Sequence, residues 1–135
     1  MAQSFKLSVV APDRTVMEGE VSSIVAPGVD GYFGVLSGHV PMIVALRPGI
    51  LEYLGTDNQR HYVSIGGGFM EVNQESAIVL ADQAEHSAEI DLKEAEEQLE
   101  KARKALRGES AEMSRDHAQE ELERAMARVK AARIG

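Results

Sequence analysis

Cysteine is absent from the 135-residue chain, which excludes disulfide cross-links, thiolate nucleophiles and every cysteine-based metal site. Long apolar runs are missing as well. The longest, Val40 to Leu46, spans seven residues and includes Pro41, far short of the roughly 20 that a helix needs to cross a bilayer. No positively charged leader and no cleavage-site pattern precede the first candidate strand, Phe5 to Val10, so the chain reads as cytoplasmic in type, with membrane contact only through a protein partner. Basic clusters are scarce too: 14 Lys and Arg stand against 22 Asp and Glu, for a net charge of −8. Nucleic acid is therefore not an expected partner, because its binding rests on phosphate neutralisation by a basic surface. The length leaves no room for a barrel enzyme of about 250 residues. A hydrophobic fraction of 44% nevertheless suffices for one domain, or for a small domain with an appendage.

Glycine and proline are unevenly placed. Ten of the 12 glycines and all 4 prolines fall within residues 1–85, with 4 basic and 10 acidic residues. Residues 86–135 contain only Gly108 and Gly135, no proline, and 10 basic against 12 acidic residues. The first segment reads as strands and turns, the second as helix. Candidate strands are Phe5–Ala11, Glu20–Ala26, Ile50–Leu54, His61–Ile65, Phe69–Val72 and Ala77–Leu80, separated by turns at Pro12-Asp13, Pro27-Gly28, Asp30-Gly31, Pro48-Gly49, Thr56-Asp57-Asn58 and Asn73-Gln74. Alternation is clearest at Val21, Ser23, Val25 and at His61, Val63, Ile65, so these strands should pack one face. Many short strands with no crossover helix between them predict an all-β antiparallel sandwich or flattened barrel.

Beyond residue 85 the period changes. Leu92, Ala95, Leu99, Ala102 and Leu106 form one apolar stripe at helical spacing, and Ala118, Leu122, Ala125, Val129 and Ala132 form another. Gly108 lies between them, with Ser110 or Ser114 available as the next cap, which predicts an antiparallel α-helical hairpin. Both stripes are narrow and rich in alanine, so the hairpin should bury little area against any body it rests on.

Motifs for chemistry are sparse. His39, His61, His86 and His117 are scattered without HxxxH or HExxH spacing, Ser37 lies in no GxSxG elbow, and no metal or catalytic residue is expected. Gly66-Gly67-Gly68 runs into an apparent strand instead of a helix, so it reads as a bulge or tight turn and not as a phosphate loop. Asp91 with Glu94 three residues later makes a capping box, with Ile90 placed as a staple against Ala95. Arg124, Arg128, Lys130 and Arg133 crowd the last helical turns. This placement fits the helix dipole, and Arg124 and Arg128, four apart on one face, equally suit an acidic partner or a phosphate.

The stretch Gly31-Tyr32-Phe33-Gly34-Val35-Leu36-Ser37-Gly38-His39-Val40-Pro41, followed by Gly67-Gly68-Phe69-Met70-Glu71-Val72 and Ile78-Val79-Leu80-Ala81-Asp82, resembles the epsilon subunit of bacterial and chloroplast F-type ATP synthases. The likeness runs from Ala11-Pro12-Asp13-Arg14 to Arg124-Ala125-Met126-Ala127-Arg128. It implies a β-sandwich docking domain over 1–85 and a helix-turn-helix regulatory domain over 86–135. The implied protein is a non-catalytic rotor subunit that couples proton-driven rotation to ATP synthesis and inhibits ATP hydrolysis. Its implied partners are the gamma subunit, the c-subunit ring and the alpha/beta catalytic head. The implied location is peripheral, on the cytoplasmic face of a bacterial membrane or the stromal face of a thylakoid. Tyr32, Phe33 and His39 in the loop Asp30 to His39, and Arg124 and Arg128 in the second helix, are then the partner-binding candidates.

Some relatives bind ATP through an IDxxRA motif and second-helix arginines. Here Ile90, Asp91 and Ala95 match that motif and Arg124 and Arg128 match the arginines, whereas Glu94 stands at the motif's arginine position. Weak regulatory ATP binding through Ile90, Asp91, Arg124 and Arg128 is the alternative that the resemblance allows, and with it an ATP-sensing module.

Overall fold

Apolar and polar residues alternate along Phe5 to Val9, at the start of the segment Phe5–Ala11. In the computed structural model, which describes residues 3–134, this segment is strand β1, with Phe5, Leu7, Val9 and Ala11 turned into the core. Six further strands follow: β2 (Arg14–Gly28), β3 (Gly31–Leu36), β4 (Met42–Gly55), β5 (Arg60–Val72), β6 (Ser76–Ala81) and β7 (Ala84–His86). The order β1-β6-β5-β4-β2 closes through an additional β1–β2 pairing, while β3 and β7 extend the sheet from β2 and β5. Every pairing is antiparallel except β1–β6, which is parallel.

The barrel is flattened because its long strands change partners midway. Strand β2 pairs with β1 through Arg14–Val21 and with β3 through Ser23–Gly28; β5 pairs with β7 at Val63–Ile65 and with β6 at Gly68–Val72. Each such strand thus serves both layers of a sandwich whose interior is filled by Leu7, Ile24, Leu51, Ile65 and Met70.

Four expectations change here. The register slips between Val21 and Ser23, so Ile24 and Ala26, and not Ser23 and Val25, continue the inward face of Val21. Pro48-Gly49 does not end a strand, since Pro48 pairs with Gly66 inside β4 and β5. Gly66-Gly67-Gly68 likewise lies within one continuous β5, where Gly67 (φ 100) and Gly68 (φ 136) form the bend. The loop expected over Asp30 to His39 is largely strand β3, paired residue by residue with β2.

A 3-10 turn, Ser87–Glu89, leads into α1 (Leu92–Leu106). Asp91 is its N-cap, accepting the Glu94 N–H at 3.1 Å, and Ile90 packs with Ala95 in one apolar cluster. At the other end, the Glu109 N–H bonds the Lys104 carbonyl at 2.9 Å and the Gly108 N–H bonds Ala105 at 3.2 Å, with Gly108 at φ 78. This is a Schellman stop. Ser114 then caps α2 (Arg115–Ile134) through the His117 N–H. Ala95 and Leu99 of α1 meet Leu122, Ala125 and Val129 of α2. Helix α2 also buries Ala127 and Ala131, on the side from which Arg124 reaches the sandwich, so its small residues are used on two faces. It is α2 that lies against β4 and β5.

Candidate functional site

The bend of β5 leaves the Gly66 carbonyl pointing at the hairpin, and Arg124 Nε donates to it at 3.1 Å. One turn on, Arg128 is the hub of the seam, its side chain only 13% exposed. Its Nε donates to Glu85 Oε1 on β7 at 2.7 Å, its Nη1 to Gln98 Oε1 on α1 at 2.8 Å, and its Nη2 reaches Glu94 Oε1 at 3.5 Å. Gln98 Nε2 donates to Glu121 at 2.8 Å, and Glu121 stands 3.7 Å from Arg124. The chain of contacts therefore runs from sandwich to α2 to α1 without a gap. Two surface ion pairs flank it, Arg14 with Glu89 at 2.9 Å and Arg47 with Glu123 at 3.4 Å. Charge-assisted bonds to half-buried groups are the stronger kind, so Arg128 supplies much of the adhesion that the alanine stripes lack.

Beside Arg128 opens a cavity of about 540 Å³ whose lining includes Asp13, Asp82, Glu85 and Glu94. Arg128 is its single cationic residue and is already engaged by carboxylates. Asp91 caps α1 and Ile90 belongs to the apolar cluster of the hairpin, so the four sequence candidates Ile90, Asp91, Arg124 and Arg128 all have partners within the chain.

The other candidates occupy one end of the sandwich. Strand alternation separates Tyr32 from Phe33: Tyr32 is 59% exposed, while Phe33 packs on the core. Tyr32 Oη accepts the Ile50 N–H at 3.1 Å. Both aromatics and half-buried His39 border a cleft of about 450 Å³ with Val29 and Met42.

A further surface escaped the sequence reading. On the outer face of β4, β5 and β6, Ile43 (74% exposed), Phe69 (57%) and Leu80 (57%) stand with Ile78, and Phe69 is paired directly across from Leu80. The signal was present: Ala77 to Ala81 is apolar at every position, which marks a strand with both faces covered. Exposed Glu71, paired with Ile43 on one side and Ile78 on the other, is the charged residue within this face, and exposed apolar area of this kind marks an interaction surface.

The structure also brings together two histidines that the sequence holds 25 positions apart. Tyr53 stacks on His61 at 4.9 Å and shares a 3.2 Å hydrogen bond with His86, while His61 Nε2 lies 3.3 Å from Asp57 Oδ2. Burial, aided by the Asp57 charge, pushes the Tyr53 hydroxyl pKa up. The Gln59 N–H, followed by the His61 contact, holds the Asp57 carboxyl below its ordinary value. No group of three or more metal-ligating side chains converges among the described residues.

Residues 4–87 match the family described as ATP synthase, Delta/Epsilon chain, beta-sandwich domain, and residues 88–133 match its long alpha-helix domain. The ATP synthase epsilon chain of Moorella thermoacetica is 38% identical over 129 residues, covering 96% of each chain. That of Syntrophomonas wolfei is 40% identical over 133 residues, covering 98% of this chain and 97% of the relative. Among solved structures, a chain of the Euglena gracilis mitochondrial ATP synthase OSCP/F1/c-ring assembly aligns with TM-score 0.79 at 28% identity, over 96% of this chain and 81% of that one. A chain of the Tetrahymena thermophila central stalk and c-ring structure gives TM-score 0.62 at 15% identity, a likeness of fold.

Proposed function

The chain belongs to the Delta/Epsilon chain family of ATP synthases, and from that premise we propose that it is the epsilon subunit of a central stalk, coupling proton-driven rotation to ATP synthesis and inhibiting ATP hydrolysis. It is a non-catalytic subunit of the enzyme, with gamma, the c ring and the alpha/beta head as partners. The observation that carries this is the ordered match of both family domains, which together span residues 4–133. No helix of the described residues is long and apolar enough to cross a membrane, in keeping with peripheral attachment through the complex; the cytoplasmic face is our reading for a bacterial chain.

Within that function we assign residues 1–85 to docking and 86–135 to regulation. The apolar face of Ile43, Phe69, Ile78 and Leu80 suits the helical stalk subunit gamma, and the end bearing Tyr32, Phe33 and His39 suits the c ring. Arg124 and Arg128 hold the hairpin to the sandwich in the folded state and become available to the catalytic head when it opens. The acidic cavity argues against nucleotide as the clamp, since Glu94 and its neighbours would repel a polyphosphate. ATP titrated calorimetrically into the full chain should bind weakly or undetectably, and Glu94→Arg should strengthen binding.

The function is tested by adding the full-length chain to membranes stripped of their epsilon subunit. Rebinding, restored proton pumping and lowered uncoupled hydrolysis are expected. A folded chain that neither binds the stalk nor restores coupling would overturn the assignment.

A further inference from the structure

Between the sandwich and the C-terminal part of the hairpin runs an open groove of about 700 Å³, within the size range of small-molecule sites. Its walls come from both domains, with Tyr32, Pro48 and Ile50 on one side and Leu99, Met126 and Val129 on the other. Tyr32 is fixed by the hydrogen bond between its hydroxyl and the Ile50 N–H. Met126 leaves 52% of its surface in water at the groove edge, an apolar side chain in the position of a wall without an occupant.

Charge around the groove is a second, independent feature. Arg47, Arg103, Lys130 and Arg133 border it against the single carboxylate of Glu123, a local positive excess on a chain whose net charge is −8. Arg47 is paired with Glu123 and Arg133 with Glu96. Arg103 and Lys130 form no ion pair among the described residues. A polyphosphate would leave the apolar walls wet, and a neutral hydrocarbon would leave the cations without a partner. A single molecule with an anionic head and an apolar tail satisfies both.

We propose that this groove binds an anionic amphiphile of the fatty-acid class, its chain over Tyr32, Pro48 and Met126 and its carboxylate paired at the rim with Arg103 or Lys130. Because the walls belong to two domains, such a ligand binds only the folded hairpin and stabilises it by mass action. The inference stands on the groove and its charges and does not depend on the rotor assignment.

The test is calorimetric titration of the full chain with sodium decanoate below its micelle concentration, beside acetate, which has the head alone, and decyltrimethylammonium, which carries the same tail with the opposite charge. Saturable decanoate binding is expected, with neither control saturating. Arg103→Glu combined with Lys130→Glu, at two exposed positions, should weaken decanoate at least tenfold while circular dichroism is unchanged. Should that pair fail to fold, Arg103→Gln with Lys130→Gln should weaken it several-fold. Absence of saturable decanoate binding, equal binding of the cationic amphiphile, or unchanged affinity in the folded variants would each overturn the proposal.

Discussion

Gly68 has no space for a side chain: an added Cβ would fall on the Leu80 carbonyl oxygen and 2.9 Å from the Ala81 Cα, and its φ of 136° is one that L-residues rarely adopt. Both obstacles are backbone, so neither can rotate away. Gly68→Ala should therefore cost about 2 kcal/mol or more, read as a lower urea midpoint with an unchanged slope. Asp57 shows a subtler effect. Its carboxylate accepts the Gln59 N–H at 3.0 Å and faces His61, and its pKa in the folded chain is lowered. A lowered folded pKa contributes stability that is present above the unfolded carboxylate value, about 3.9, and is lost as pH falls through the folded one. Asp57→Asn should thus melt below the parent protein at neutral pH, and the gap should close as the solution is acidified through that range. Melting curves at several pH values check the sign.

At the scale of elements, α1 tests how much of its start is local. Asp91 and Ile90 fix that start by a cap and an apolar contact, so Asp91→Ala should cost about 1 kcal/mol and speed amide exchange in the first turn of α1 while leaving the strands protected. This cap was legible in the sequence because both partners lie within four residues. So were the hairpin turn at Gly108, the strands β1 and β6, and the break between strand-rich and helical halves. Strand β3 was not legible. Its Gly31 and Gly34 read as loop, and only the edge of β2 vacated where β1 departs makes it a strand. Tertiary context likewise decides the reciprocal half of the expected capping box, since the Glu94 carboxylate is turned to Arg128. The second buried face of α2 was hidden because Ala127 and Ala131 are too small to stand out from a helix already rich in alanine. The pairings of Arg124 with Gly66 and of Arg128 with Glu85 cross 58 and 43 residues, and no spacing rule announces them.

For the whole molecule, the rotor reading makes the seam the place where the regulatory balance is set. Arg124 and Arg128 serve the folded hairpin here, and the rotor reading has the same arginines serve the catalytic head when the hairpin extends. Removing them weakens both states, so the sign of the effect on hydrolysis is ambiguous. Removing their carboxylate partners is not ambiguous. Glu85→Gln with Glu94→Gln leaves both arginines available to the head but takes away the charges that hold Arg128 in the folded state. Hydrogen bonds to charged groups contribute about 1.5 to 3 kcal/mol, so the folded-to-extended ratio should fall roughly tenfold or more. Complexes carrying this double variant should hydrolyse ATP more slowly than those with the parent chain, and added salt should narrow the difference in so far as the pairs are screened. A chain ending at residue 85 should give the opposite result, with faster hydrolysis, because the rotor reading makes the hairpin the inhibiting element. The measurement is steady-state hydrolysis by matched complexes at several salt concentrations. If the truncated chain releases hydrolysis while the double variant matches the parent at low salt, the hairpin is a brake, but the Glu85–Arg128–Glu94 contacts do not set its balance, and the alanine-rich faces of α2 must hold it alone.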